Sequence, residues 1–500
     1  MTIRWDFIKN AFANLGRAGA AGIVALLLPP VLIRHMTAID YAAWVLVLQC
    51  GSYANYLDFG LQTAVGRYIA YATEKRDTEQ RNSIFSTAYA ALLAVAVLCV
   101  ILLLTLIAAL HPIFPGIPLA EIPFMRWALL ILGVSMALGL PASAWNGVFI
   151  GLERYDIPAL TVGGARLISA IGIVVVVLVG GGIVLMATVM ALVNLLSYAA
   201  QYVAMMRIAP DIQFDSRLVR HPVAKELMSY CSGLTVMSFS MLLITGLDLI
   251  LVARFQLSAL IPYSVSATIA AFMSGGLLAA LNVIMPHAAA MNARSDARPL
   301  GRLIITCTQV GAALLIFSGL PILIYARPLI KLWIGAQYVQ AGQPLLILLL
   351  VANMIRLLGA PYAIVLISAG QQRFIKISPL IEGFVNLIAS LILGSTMGAI
   401  GISLGTLIGA VAGILAHFFY SMPRTHMALQ FSRWDLMRTG ILAPLLAATP
   451  LIGVATLSLI GRLPSAEHWV VFLPAFGLSL MGTAVLLRRP TLTVAINNGF

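Results

Sequence analysis

The chain has 500 residues, of which 61% are hydrophobic and only 9% are charged, and its mean hydropathy is +1.00. Because soluble domains carry roughly 25% charged residues, this composition excludes a soluble globular protein. The net charge of +13 would suggest a nucleic-acid partner in a soluble protein. Here the placement of the basic residues explains it, and no nucleic-acid partner is expected.

The predicted elements follow from long uncharged runs that recur along the chain. About 20 apolar residues make one membrane-spanning helix, and continuously apolar runs favour helices over the alternating strands of a β-barrel. We therefore predict an all-α polytopic membrane protein with about 14 transmembrane helices, near residues 10–33, 41–65, 84–110, 122–150, 157–179, 182–205, 227–253, 259–288, 303–326, 343–369, 375–396, 399–420, 437–460 and 469–487.

The basic residues lie mostly on one side of these predicted helices. Of the 30 Lys and Arg residues, 21 fall on the side of the N-terminus, five fall on the other side, and four lie within helices. Loops rich in Lys and Arg stay in the cytoplasm. Both termini are therefore predicted to be cytoplasmic.

A pattern in the first half of the chain reappears about 220 residues later. Four pairs of segments keep nearly the same offset: Gly139–Pro141 with Gly359–Pro361, Gly151–Tyr155 with Gly370–Phe374, Arg166–Ile168 with Asn386–Ile388, and Gly180 with Gly398. An even number of predicted helices separates each feature from its copy, so both copies keep the same membrane orientation. This arrangement is typical of parallel repeats related by an axis along the membrane normal.

The repeat defines the predicted domains. We expect an N-lobe of six helices at residues 1–205, a cytoplasmic linker at 206–226, a C-lobe of six helices at 227–425, and two additional helices with a cytoplasmic tail at 426–500.

Six charged residues lie deep inside predicted helices, where each costs about 2.5–3.5 kcal/mol on insertion scales, whereas Arg126 lies close enough to an outer helix end to reach the interface. The six are Arg17, Arg166, Arg356, Asp58, Asp248 and Glu382. Each belongs to a polar stripe at helical spacing, such as the one that Glu382 shares with Asn386. Buried ion pairs and hydrogen bonds that fix helix packing account equally well for any single one. A hydrated central cavity accounts for all six together.

An arginine guanidinium binds two phosphate oxygens at once and stays charged. Arg17, Arg166 and Arg356, with Asn386, are therefore the predicted substrate-binding residues. The three acids, Asp58, Asp248 and Glu382, are predicted to bind a coupling ion or to gate the arginines. His417, near a cytoplasmic helix end, fits a packed histidine better than a proton relay.

Signatures of catalysis and metal binding are missing from the sequence. The four cysteines form no C-x-x-C pair, and no Walker loop, H-E-x-x-H or G-x-S-x-G motif occurs. The predicted outer loops are short. We expect no enzyme activity, no cofactor and no metal, and a membrane glycosyltransferase or ligase is the alternative from another class.

The segment Tyr56-Leu-Asp58-Phe-Gly60-Leu-x-x-Ala64-x-x-Arg67 resembles the helix-2 signature of bacterial polysaccharide (O-antigen type) flippases, in the multidrug/oligosaccharidyl-lipid/polysaccharide exporter superfamily. Further matches cover roughly residues 5–425: Leu281–Pro286 before a basic loop, Leu332–Tyr338, Phe384–Ile388, and Gly398–Gly401. Many members of the family have twelve helices. The lipid II flippase branch has fourteen, which leaves that substrate open.

This resemblance implies a two-lobe helical bundle in the bacterial cytoplasmic (inner) membrane. Such proteins move a lipid-diphosphate-linked oligosaccharide from the inner to the outer leaflet by alternating access, for cell-surface polysaccharide biosynthesis. The expected partners are that lipid-linked oligosaccharide and membrane lipids, with a polysaccharide polymerase and its chain-length machinery as candidates. A multidrug or cation antiporter of the same fold is a further alternative, which the three deep arginines disfavour.

Overall fold

The structure is a computed structural model that describes residues 24–282, 297–368, 374–461 and 468–487, together with positions 22, 288 and 291. Throughout these ranges the regular elements are helices, with no strand among them. The predicted all-α membrane class is confirmed.

The chain divides into two compact units, with the boundary after Ile261. The helices of the first unit are α1 (Val24–His35), α2 (Ala38–Ser52), α3 (Leu61–Glu74), α4 (Thr78–Ala108), α5 (Leu110–Ile113), α6 (Ile122–Gly151), α7 (Asp156–Pro158), α8 (Gly164–Leu178), α9 (Ile183–Ile208), α10 (His221–Met241) and α11 (Asp248–Phe255). The first unit therefore includes α10 and α11, which the sequence repeat assigns to the C-lobe.

The second unit contains α12, which begins at the boundary, and the helices that follow it. They are α12 (Leu260–Asn282), α13 (Ala297–Ile324), α14 (Ala326–Ile334), α15 (Val339–Leu357), α16 (Ala360–Ser368), α17 (Ile377–Ala416), α18 (Met422–Leu429), α19 (Arg433–Asp435), α20 (Ala443–Ala447), α21 (Thr449–Leu459) and α22 (His468–Leu487). Several helices join through π turns, at Ala159–Gly163, Leu242–Gly246, His417–Ser421 and Leu436–Leu442.

Within the described ranges, ten helical segments are long and apolar enough to cross a membrane, or eleven if a pair bent by 64° counts as one span. The protein is therefore multi-pass, and the exact count of fourteen spans is not confirmed over the described residues. Most of the first predicted helix lies outside the described residues. The second is interrupted at 53–60. The eleventh and twelfth are the two halves of α17, which the non-helical Gly398 separates at the predicted place.

The link between the predicted lobes runs along the first turns of α4 rather than forming a helix of its own. Its backbone bonds to α4 side chains: Asn82 donates to Asp211 O at 2.8 Å, and Ser86 accepts from Asp215 N at 3.0 Å. Arg81 pairs with Asp211 at the same place. These bonds attach the link to the first unit.

Gly180 and Gly398, which correspond in the sequence repeat, each lie between two helices. Gly180, between α8 and α9, has φ +77°, and Gly398, between the halves of α17, has φ +60°. Both φ values are positive and so favour glycine, and ψ at Gly398 is −137°. A duplicated architecture predicts a glycine with a positive φ at both positions.

The two halves of α17 pack through glycines spaced four residues apart. A Cβ added to Gly409 would lie 2.7 Å from Asn386 Cβ, and one added to Gly413 would lie 2.6 Å from Glu382 Oε2. Small residues let membrane helices approach closely. The polar stripe of Glu382 and Asn386 therefore lies against a glycine face of the same hairpin.

Gly409→Ala is expected to lower the thermal midpoint of the detergent-solubilised protein, because the new methyl group also meets the Asn386 Cα and Glu382 O atoms at 3.0 Å. Overpacking of this kind costs about 1–3 kcal/mol. The matched control is Gly477→Ala in α22, where an added Cβ meets no heavy atom within 4 Å. Equal melting temperatures for the two variants would contradict the packing described for α17.

Candidate functional site

The family-like motif around Asp58 lies where a membrane helix is broken. After α2 the chain makes a 3₁₀ turn at Tyr53–Asp58, and then Phe59 and Gly60 take φ values of +53° and +79° before α3 begins. Only glycine fits the second position, because an added Cβ would also lie 2.6 Å from Leu234 Cβ. Breaks in membrane helices occur where the backbone is buried in protein or lines a cavity.

Asp58 is half-buried at this break. Its Oδ1 accepts from Gln62 N at 3.3 Å, and Ser143 Oγ lies 3.2 Å from the same oxygen. Among the described residues it takes part in no ion pair. One turn beyond Ser143, the Asn146 Oδ1 atom is buried without a hydrogen-bond partner. The break thus gathers oxygen ligands of the kind that bind a small cation or a proton.

A second break lies in the same unit, where α10 passes through the π turn Leu242–Gly246 into α11. Gly246 O accepts from Gln49 Nε2 at 2.8 Å and from Tyr53 OH at 2.6 Å. Asp248 is the first residue of α11 and is buried. Side chains from the first break therefore bond the backbone of the second, which places both within one hydrogen-bonded region of the first unit.

Arg166 lies near the start of α8, and its side chain is exposed. Successive residues of an α-helix turn by 100°, so Arg166 shares its angular position with the buried residues Ile173 and Val177. The apolar residues exposed on α8, such as Ile171 and Val175, lie on the opposite face. Arg166 therefore lies on the side of α8 whose later turns are buried and not on the side that carries the exposed Ile171 and Val175. We call this side the inward face of α8.

The second unit holds a buried ion pair between Arg356 of α15 and Glu382 of α17. Arg356 Nε donates to Glu382 Oε1, and the two side chains are only 15% and 8% exposed. Arg356 Nη1 donates to Asn353 Oδ1 at 3.1 Å, and Ser274 Oγ lies 3.2 Å from that oxygen. Arg356 Nη2 is buried without a hydrogen-bond partner.

This pair has opposing energetic features. Removing two charges from water costs several kcal/mol per ion, which their attraction offsets only when the remaining groups are also satisfied. The unpartnered Nη2 leaves the Arg356 guanidinium incompletely satisfied inside the protein. The pair is therefore stable while Glu382 is ionised and is weakened by any change that neutralises this carboxylate.

The structure brings together some of the predicted site residues. It pairs Arg356 with Glu382 and places Asp58 and Asp248 at the two linked helix breaks. Asn386 is fully buried between the halves of α17, where its Oδ1 accepts from Ser390 at 3.0 Å. Arg17 lies outside the described residues. Across the described residues no cluster of three or more metal-ligating side chains occurs.

Sequence reasoning did not single out Gln49, Tyr53 or Ser143. Each is a hydrogen-bonding side chain in an otherwise apolar segment, one or two turns from the break at Asp58 or on the helix packed against it. Their polarity is a weak signal, because serine and tyrosine are common in membrane helices. Their role is recognisable only in the structure, where Gln49 and Tyr53 bond the Gly246 carbonyl and Ser143 bonds Asp58.

Comparison with solved structures finds the same fold in membrane transporters. A structure described as lipid II flippase MurJ in an inward closed conformation matches with a TM-score of 0.72 and 13% sequence identity, covering 96% of this chain and 99% of that one. An inward-facing multidrug resistance MATE family transporter of the MOP superfamily gives 0.66 and 14%, covering 84% and 99%. A MOP superfamily transporter from Pyrococcus furiosus gives 0.56 and 14%, covering 85% and 96%.

Neither protein-family models nor curated sequences give a match. The sequence identity between this chain and each of these three structures is at most 14%. These structures show that the chain has the fold of MOP superfamily transporters. All three are transporters rather than enzymes.

Proposed function

We propose that this protein is a flippase that moves a lipid-diphosphate-linked oligosaccharide across the bacterial cytoplasmic membrane by alternating access, for cell-surface polysaccharide biosynthesis. The observation that carries the proposal is the likeness to the lipid II flippase over 96% of this chain and 99% of that one. The likeness to the MATE transporter covers 84% of this chain. A lipid II flippase is thus the second candidate within the same mechanism.

Arg166 and Arg356 support an anionic head group as the cargo. Arg356 has a spare donor at Nη2, and Arg166 lies on an inward helix face. A planar guanidinium binds two phosphate oxygens at once. A cation antiporter needs acids without compensating arginines, and in the second unit the acid Glu382 is compensated by Arg356. We propose that Arg166 and Arg356 contact the diphosphate or sugar acids during the cycle, with Arg17 as a third contact.

The Arg356–Glu382 pair provides a switch for this cycle. While Glu382 is ionised, it occupies the Nε edge of the Arg356 guanidinium. When Glu382 binds a proton or another cation, that edge is released together with the spare Nη2 donor, and a diphosphate can replace the carboxylate. Loss of the bound cation restores the pair and displaces the diphosphate. A ligand shifts such an equilibrium only through its different affinity for the two states, and this exchange supplies that difference.

Asp58 and Asp248 form the second coupling element of the proposal. Both lie at helix breaks that share the Gly246 carbonyl through Tyr53 and Gln49. Cation binding at Asp58 would change the packing of one break and, through these bonds, that of the other. The two breaks are therefore proposed as the hinge of the first unit.

Depletion of the protein in its native cell tests the proposed function. We expect lipid-linked oligosaccharide to accumulate in the inner leaflet, because synthesis continues while translocation stops. Complementation with the wild type should clear it, as should Arg154→Ala, which removes an exposed arginine paired with Asp156 in a loop. No accumulation, together with sugar transfer by the purified protein, would replace the flippase with the glycosyltransferase or ligase alternative.

A further inference from the structure

His417 is a titratable residue that the proposed function leaves unused. It is the first residue of the π turn that ends α17, a type of turn that occurs frequently at functional sites. The residue as a whole is partly buried, and its Nδ1 atom is enclosed and has no hydrogen-bond partner. One ring nitrogen therefore lies inside the protein without a partner.

Two glycines place this ring beside the Arg356–Glu382 pair. Glu382 Oε2 lies against Gly413, where an added Cβ would be 2.6 Å away. His417 follows Gly413 by one helical turn, about 6 Å along the axis. On the other side, His417 Cδ2 would lie 3.2 Å from a Cβ added to Gly359, whose N–H bonds to Arg356 O. Neither glycine adds a side chain between the imidazole and the pair, and Ile414 Cδ1 packs beside the ring, also 3.2 Å from the Gly359 Cβ position.

The other groups around His417 define its surroundings. Tyr362 of α16 meets the ring edge-on, with ring centres 5.6 Å apart, and its hydroxyl bonds to Thr425 at 2.8 Å. Arg433 Nη1 bonds to the carbonyl oxygen of the next residue, Phe418, at 3.4 Å. No carboxylate among the described residues forms an ion pair with His417. The Arg356–Glu382 pair is the charged pair that lies beside the same two glycines, Gly359 and Gly413, as His417.

We propose that His417 carries protons between Glu382 and the helix end that follows it, which makes the proton the coupling ion of the second unit. This inference rests on the proposed function, because it assigns the cation that switches the Arg356–Glu382 pair. The proton leaves the Glu382 carboxyl group and binds an imidazole nitrogen of His417, giving carboxylate and imidazolium. The imidazolium then loses a proton to water, which restores neutral imidazole.

The relay predicts a defect in proton exchange that packing alone does not produce. In the full-length protein in detergent, the C=O stretch of protonated Glu382 is followed by infrared spectroscopy after a rapid pH jump, with Glu382→Gln identifying the band. We expect His417→Ala to slow the relaxation of this band by roughly 10²-fold, the typical contribution of a positioned proton-transfer group. The final amplitude of the band should not change.

Chemical rescue separates proton transfer from space filling. Free imidazole should restore the rate in His417→Ala, and pyrrole, a ring of similar size without a basic nitrogen, should not. His417→Gln provides the same test in a variant that keeps a polar side chain if the alanine variant fails to fold. An unchanged rate in both variants, equal rescue by the two rings, or a Glu382 band that responds to sodium but not to pH would overturn the relay. A wild type that exchanges protons through His417 but flips no lipid would overturn the proposed function alone.

Discussion

Replacing Glu382 with alanine is expected to lower the free energy of unfolding by about 3–5 kcal/mol, because the change leaves Arg356 buried without its counter-charge. Arg356 is 15% exposed and already has one unsatisfied donor at Nη2, so nothing nearby compensates for the lost carboxylate. Chemical denaturation or thermal melting in detergent measures the effect. Arg356→Ala should destabilise the second unit to a similar extent, by stranding Glu382.

The double variant Arg356→Met with Glu382→Met separates stability from function. Two apolar side chains of similar volume remove both charges together, so most of the lost stability should return, as it does when buried ion pairs elsewhere are replaced by well-packed apolar residues. Transport should not return, because the switch is absent. If the single variants have the melting temperature of the wild type, Arg356 and Glu382 are solvated in the folded protein. That result would contradict a buried ion pair between them.

Arg166→Ala is expected to reduce flipping by at least about tenfold, or 1.4 kcal/mol of transition-state stabilisation, which is at the lower end of a charge-assisted contact to phosphate. The side chain is exposed, so the free energy of unfolding should stay within about 0.5 kcal/mol of that of the wild type. Flipping is measured on purified protein in vesicles with a labelled lipid-diphosphate-linked oligosaccharide.

The matched control for this change is Arg154→Ala. Arg154 is 47% exposed and binds Asp156 in a loop, so its removal takes away one positive charge without touching an inward helix face. Its flipping rate should equal that of the wild type. Equal rates for Arg154→Ala and Arg166→Ala would show that Arg166 makes no contact with the substrate.

The fold class was predictable because an uninterrupted apolar run of about 20 residues crosses a membrane as an α-helix. The number of spans was not, since it depends on where a helix breaks. The break at Gly398 falls between the predicted helices 375–396 and 399–420, but the break at Gly60 falls inside the predicted helix 41–65. Glycine is also common inside membrane helices. The need for a glycine at residue 60 is visible only in the structure, where Leu234, distant in sequence, occupies the space of a side chain.

The candidate site was predictable in its residue types and not in its pairings. Sequence spacing placed Glu382 and Asn386 on one face of a helix and indicated that this stripe was polar. It could not tell whether that face meets water or another helix, and the structure packs it against Gly409 and Gly413. The bond from Arg356 to Glu382 joins residues 26 apart on different helices. Their register depends on the packing of α15 and α17 as a whole.

Flipping by the purified protein tests the account most directly. Full-length protein is reconstituted into vesicles that hold a fluorescent lipid-diphosphate-linked oligosaccharide in both leaflets. An impermeant quencher added outside quenches the outer leaflet at once and quenches inner-leaflet lipid only after it has been flipped. The protected half of the signal should decay in wild-type vesicles, decay at least about tenfold more slowly with Arg166→Ala, and persist with the double methionine variant. A protected half that persists with the wild type as it does in protein-free vesicles would contradict the account.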